Sequence, residues 1–188
     1  MNLLVNSDPE YITVKGIQIP IKTDFELWVS LLIAADNNDI KMLQKAVGGI
    51  LGGIPSPKYQ FDVISAMLAW VSGQENGTDD GEKASSGAAA LDFEIDGSVI
   101  YCELWQHFPH LMEKGISYHE GIELIKLLIH DENTMLWHRV FARCGNFSKM
   151  TSDERAYWNK ERGRYAILKS NRKIKQGSID NVMSGAFM

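Results

Sequence analysis

DFEIDGSVIYCELWQHF, residues 92–108, is the stretch whose reading decides the fold class. Asp92, Phe93 and Ile95 run into the turn dipeptide Asp96-Gly97, after which Tyr101, Leu104, Trp105 and Phe108 recur at i, i+3, i+4 and i+7. That spacing sets four large apolar side chains on one face of a helix. The same period returns on both sides of the stretch. The chain therefore reads as mainly α: a bundle of short amphipathic helices with a small N-terminal β-hairpin.

Upstream, YITVKGIQIPI (Tyr11–Ile21) alternates β-branched and polar residues around Lys15-Gly16, a hairpin pattern that Pro20 confines to an edge or an ending. Thr23-Asp24 offers an N-cap for a helix with Phe25, Trp28, Val29, Leu32 and Ile33 at helical spacing. Asn37-Asn38 breaks it, and Asp39 can cap a second helix that turns Ile40, Leu43, Ala46 and Val47 inward. Gly48-Gly49 and Gly52-Gly53 around Ile50-Leu51 read as a turn. A phosphate-cradling loop would need the Lys-Ser/Thr ending and preceding strand that this stretch lacks. Gln60 to Val71 predicts a third helix with Phe61, Ile64, Leu68 and Val71 on one face.

Residues 74–90 contain no large apolar side chain and read as a flexible linker or loop. They divide an N-terminal part (1–73, the hairpin and three helices) from a C-terminal helical part (91–169). These are two domains or one interrupted domain. In the second part, Ser117-x-x-Glu120 and Thr151-x-x-Glu154 are capping-box patterns. The first opens a helix carrying Ile122, Leu124, Ile125, Leu128 and Ile129; the second opens a final helix through about Leu168. Between them, Asn133–Cys144 reads as a helix with Leu136, Trp137, Val140 and Phe141 inward, ended by Gly145-Asn146. The polar, glycine-punctuated residues 170–188 predict a disordered tail.

A chain of 188 residues, 45% apolar and 10% aromatic, has the composition of a globular protein. Cys102 and Cys144, among apolar neighbours, read as buried reduced thiols, as in a reducing cytosol. MNLLVNSDPE has no basic region and only a short apolar run, so it does not read as a signal peptide, and no apolar run approaches a membrane span. The expectation is a soluble intracellular protein.

No constellation of catalytic residues stands out. His107-x-x-His110, with Cys102 upstream, has Pro109 between its histidines and no second ligand pair at zinc spacing. His119-Glu120 lacks the second histidine of HExxH, because Glu123 stands at that place. Gly-x-Ser-x-Gly is absent. The paired acids Asp131-Glu132 and Asp153-Glu154 sit at helix N-termini, where negative charge complements the dipole. The expectation is no enzyme, no cofactor and no metal.

Charge is unevenly spread. Arg155 to Lys175 holds eight basic residues against the single acid Glu161, so this stretch is +7 and a chain of net −5 carries −12 elsewhere. With Tyr157, Trp158 and Tyr165 interleaved, the stretch could bind nucleic acid by phosphate contact and stacking. The alternatives are a solvated helix face, favoured because the rest of the chain is acidic, and a docking helix for an acidic or amphipathic protein.

Taken in order, VKGIQIPIKTDFELW, FDVISAMLAWVSG, the charged low-complexity stretch, DFEIDGSVIYCELWQHF, ISYHEGIELIKLL and TSDERAYWNKERGRYAIL resemble the small tail assembly chaperones of long non-contractile-tailed phages and prophages of Gram-positive bacteria. The resemblance spans about Val14 to Leu168. It implies a non-enzymatic protein of the bacterial host cytoplasm, absent from the mature virion. Its client would be the long, largely helical tape-measure protein, with the tail-tube protein and a second copy of this chain as further candidate partners. No membrane contact is implied. A bundle of short amphipathic helices can offer apolar surface to a helical client. The candidate contact residues are Trp105, Phe108, Trp137, Trp158, Arg162 and Tyr165. The runner-up reading is a nucleic-acid-associated helical module acting through the basic C-terminal helix.

Overall fold

A computed structural model describes residues 9–71 and 90–167. The linker assigned to 74–90, except Ala90, and the tail assigned to 170–188 lie outside the described residues. Those described are mainly helical, with one two-stranded antiparallel hairpin, and form two compact units. The first comprises residues 9–71 with 115–121, the second 90–114 with 122–167.

In the first unit β1 (Tyr11–Val14) pairs with β2 (Ile17–Pro20) across Lys15-Gly16. Both turn residues have positive φ, 52° and 80°, as a tight turn matched to strand twist requires. Ile12 and Val14 point inward, and the helix over Gln60–Val71 packs on this strand. Helix α1 (Phe25–Asn37) buries Trp28, Leu31 and Ala34 and stops where Asn38 turns left-handed. The Asp39 side chain accepts from Met42 N–H at 3.0 Å and opens α2 (Ile40–Leu51), which turns in Leu43, Ala46, Val47 and Ile50.

The glycine turn is shorter than its composition indicates. Gly48 and Gly49 lie inside α2, and only Gly52, at φ 69°, makes the left-handed cap. Gly49 is there for closeness: a Cβ on it would stand 3.0 Å from Leu27 Cδ2 of α1. Helix α3 (Gln60–Val71) has the expected bounds but a rotated face. It buries Gln60, Val63, Ile64 and Met67 and leaves Phe61 exposed. Gln60 is turned in because its Nε2 donates to Pro55 O at 3.0 Å.

Residues 115–121 complete this unit. Phe25 N–H donates to Ile116 O, and Tyr118 N–H to Thr23 O, so the segment lies beside the entry to α1. It delivers Tyr118 and His119 to Trp28 and Trp70; the two indoles stack at 4.1 Å between centroids.

The second unit holds α4 (Phe93–His107), the short α5 (Pro109–Lys114), most of α6 (Tyr118–His130), α7 (Met135–Cys144) and α8 (Ser152–Tyr165). Both capping boxes form. Ser117 Oγ accepts from Glu120 N–H while the Glu120 carboxylate accepts from Ser117 N–H, and Thr151 and Glu154 do the same for α8.

Three expectations are corrected in this unit. Asp96-Gly97 is not a turn: α4 already runs from Phe93, because the Asp92 side chain accepts from Glu94 and Ile95 N–H and caps it four residues earlier. The inner face of α4 is Asp96, Ile100, Glu103 and Leu104, while Tyr101 and Trp105 turn outward. Cys102 and Cys144 are exposed, each one residue away from a buried position (Glu103, Arg143) and so rotated off the inward face. The end of α7 also differs in kind. Gly145 has an ordinary φ of −62°, and glycine is required by contact instead, since a Cβ there would stand 2.7 Å from Phe147 Cε1.

Two helical glycines should respond oppositely to alanine. Gly97 would place a Cβ in open space, so Gly97→Ala should stabilise by about 0.5–1 kcal/mol through helix propensity. At Gly121 a Cβ would stand 2.6 Å from Phe25 Cε2, and Gly121→Ala should cost about 1–3 kcal/mol by overpacking. Urea midpoints that moved the same way in both variants would contradict this account.

Candidate functional site

The buried chemistry of the second unit centres on Asp96, a residue that sequence pattern assigns to a turn. Its side chain is fully buried, and its carboxylate meets two arginines of α7. Arg143 binds it with both terminal nitrogens, Nη1 to Oδ2 at 2.6 Å and Nη2 to Oδ1 at 2.9 Å, and Arg139 Nη1 adds a contact to Oδ1 at 2.9 Å. Asp92 N–H donates to Oδ2 from the other side. Arg143 then uses Nε on Tyr165 O, at the end of α8, and Nη1 on Ala90 O. One guanidinium therefore ties together the start of α4, the last turn of α7 and the end of α8.

A second carboxylate holds the opposite end of the same helix pair. Glu103, buried on α4, accepts from Met135 N–H at 2.7 Å, which places negative charge on the N-terminus of α7. Its other oxygen lies 3.2 Å from His107 Nε2. With Glu103 at the start of α7 and Asp96 near its end, α4 and α7 run antiparallel and are pinned by charge at both ends.

Four of the six candidate residues gather at the α7–α8 seam. Trp137 stacks on Phe141 at 4.8 Å, and Trp158 of α8 meets Phe141 edge-on at 4.8 Å with Trp137 and Phe147 beside it. Arg162 places its Cζ 4.2 Å from the Phe147 ring centroid and donates Nε to Ala142 O and Nη2 to Gly145 O, the orphan carbonyls at the end of α7. Tyr165 stands edge-on to His138 and under Arg139. His138 Nδ1 and Arg139 Nε are buried with no hydrogen-bond partner among the described residues.

Trp105 and Phe108 belong to a different surface, at the outer side of α4. Ile95, Ser98, Cys102 and Trp105 are all exposed and follow one another at 3-4-3 spacing, a heptad seam, with Tyr101 alongside. Ile95 is 47% exposed, Tyr101 53% and Trp105 36%. Phe108, in the cap position after α4, is half-buried. Single exposed apolar residues are ordinary, whereas a row at helix-packing spacing is not. The first unit exposes Ile17, Ile54, Tyr59 and Phe61, with Lys15 held 2.6 Å from Asp62 and placed over the Tyr59 ring.

Among the described residues no three His, Cys, Asp or Glu side chains gather to hold a metal ion. His107 and His110 each face a carboxylate of their own helix neighbourhood, Glu103 and Glu113. Among the described residues no helix is long and apolar enough to cross a membrane. No family model, curated protein or solved structure matches this chain.

Proposed function

We propose that the protein is a tail assembly chaperone that binds the helical tape-measure protein of a phage or prophage and keeps it soluble during tail assembly. The observation that carries this reading is the outer ridge of α4. Its inner face is committed to α7 through Asp96 and Glu103, so Ile95, Tyr101, Cys102 and Trp105 are presented on a rigid helix. A heptad-spaced row that is apolar at Ile95, Cys102 and Trp105, with the small Ser98 between, is what a long helical client can pack against, knob into hole. The order of sequence landmarks supplies the particular client.

Among the described residues, part of the basic stretch is already engaged, which weighs against the nucleic-acid alternative. Arg162 is spent on Ala142 O and Gly145 O, Arg155 on Ser148 O and Met150 O, and Arg164 faces Glu161 and the Tyr165 ring. Arginines occupied by the protein's own carbonyls are poorly placed to neutralise phosphates.

Co-expression with a candidate tape-measure protein, a long helical chain, tests the proposal. The client should be insoluble alone and should co-purify in soluble form with this chain. Tyr101→Ala/Trp105→Ala should reduce recovery about tenfold or more, since two central aromatics commonly account for over 1.4 kcal/mol of binding. A client that stays soluble alone, or that is recovered equally with the double variant, would sink the α4 assignment.

A further inference from the structure

We infer that α8 is a displaceable strap, seated on an aromatic surface of α7 that also accepts a client helix presenting an aromatic ring and an arginine one turn apart. The inference rests on the chaperone reading and identifies a second client surface within it.

Helix α8, SDERAYWNKERGRY, has no aliphatic side chain larger than Ala156, and most of its residues face solvent. Glu161 is its one buried residue, and its grip on α7 comes mainly from two others at i and i+4. Trp158 enters between Trp137, Phe141 and Phe147, and Arg162 covers Phe147 while donating to two carbonyls at the end of α7. Its other ties include the main-chain contact of Tyr165 O with Arg143, Arg155 on Ser148 O and Met150 O, the exposed Tyr157 hydroxyl 3.2 Å from His138 Nε2, and ring contacts of Tyr157 and Tyr165. The chain lacks the continuous apolar stripe by which a permanently docked helix is normally held.

The surface beneath is better built than its occupant. Trp137, Phe141 and Phe147 form a contiguous aromatic patch, and α7 is fixed independently by Glu103 and Asp96 of α4. His138 Nδ1 and Arg139 Nε, buried without described partners, show that α8 does not satisfy everything it covers. The capping box of Thr151 and Glu154 belongs to α8 itself, so the helix keeps its N-terminal cap when it lifts. Elements with few buried apolar contacts are the ones that open locally, and a helix in a groove can be exchanged for another carrying the same anchors.

A fluorescein-labelled peptide of residues 151–167 is the probe, titrated against the full chain by fluorescence anisotropy. It should bind the Trp158→Ala chain at least tenfold more tightly than the wild-type chain, because the strap no longer competes. The same peptide with Trp158→Ala should not bind. On the wild-type chain alone, hydrogen exchange should show α8 amides exchanging at least tenfold faster than those of α7. Slow exchange of α8 together with α7, or no binding to a Trp158→Ala chain of unchanged circular dichroism, overturns the inference. A concentration-dependent dimer forming without peptide would make a second copy's α8 the occupant and overturn the client assignment. Neither measurement uses the tape-measure protein, so failure here leaves the α4 test standing on its own.

Discussion

Asp96→Ala is expected to lower the stability of the second unit by about 3–5 kcal/mol, the cost of leaving a buried charge without its partner. Arg143 is almost fully buried, and its bidentate contact to Asp96 is the interaction that compensates its lost hydration. Removing the carboxylate strands that guanidinium, frees Arg139 Nη1 and leaves Asp92 N–H without its side-chain acceptor. Arg143→Ala should cost a similar amount for the mirror reason. Asp96→Leu/Arg143→Met should cost clearly less than the two alanine variants added together, because it removes both charges at once. Urea unfolding followed by far-ultraviolet circular dichroism, with hydrogen exchange of α4 and α7 as the local probe, measures each term. A loss under about 1 kcal/mol for Asp96→Ala would mean that the ion pair is not integral to the fold.

The same residue sets a pH dependence. Burial pushes the Asp96 carboxyl up, but hydrogen bonds from Arg143, Arg139 and Asp92 N–H, with the charge of Arg143, bring it below the ordinary carboxylate range. A pKa lower in the folded than in the unfolded chain contributes stability that is fully present above the unfolded value of about 4 and is lost as pH falls through the folded value. Exposed Asp131 and Glu154 are also lowered, by hydrogen bonds from Asn133 and Thr151 respectively, and act in the same window. The difference between wild type and Asp96→Asn therefore isolates the buried carboxyl. The wild-type acid transition should be steeper below pH of about 4 than that of Asp96→Asn. Parallel acid transitions would sink this assignment.

How far these features can be read without coordinates depends on the range over which they are determined. The helix class, the hairpin turn at Lys15-Gly16 and the two capping boxes are local, set by residues within four positions, and they are legible in the chain. What misleads is orientation. Leu104 turns inward while Tyr101 and Trp105 turn outward, because Asp96 and Glu103 hold the inner side through α7, which hydrophobic spacing cannot reveal. An aspartate before glycine has the signature of a turn, and only Arg143, 47 positions along the chain, makes it a core residue. The one available cue was the i, i+4 pair Arg139 and Arg143 on a helix otherwise lined with aromatics. The basic stretch was misleading in the same way, since composition counts Arg162 as surface charge while geometry uses it to cap α7.

In the first unit the corresponding test is Trp28→Ala, expected to cost about 3–5 kcal/mol as the deletion of a fully buried aromatic. Trp28 is 0% exposed, stacks on Trp70 at 4.1 Å and lies 6.1 Å from Tyr118, so it joins α1 to α3 and to the 115–121 segment. Its Nε1–H donates to Lys22 O at 2.8 Å, and Lys22 N–H in turn reaches Ile50 O at the end of α2. Trp28→Phe keeps much of the apolar volume and loses the donor, leaving the part-buried Lys22 carbonyl without its indole; it should therefore cost less, about 1–3 kcal/mol. Trp70→Ala should fall below Trp28→Ala, because Trp70 is only half-buried and its Nε1–H bond to Pro9 O is exposed. The ordering discriminates between a shared aromatic core and independent helices. If Trp28 is the joint, its loss should also speed exchange of Tyr118 N–H, which donates to Thr23 O at 2.7 Å. Should Tyr118 stay protected while urea stability falls, the 115–121 segment is held by the Phe25 and Gly121 contact rather than by the indole stack.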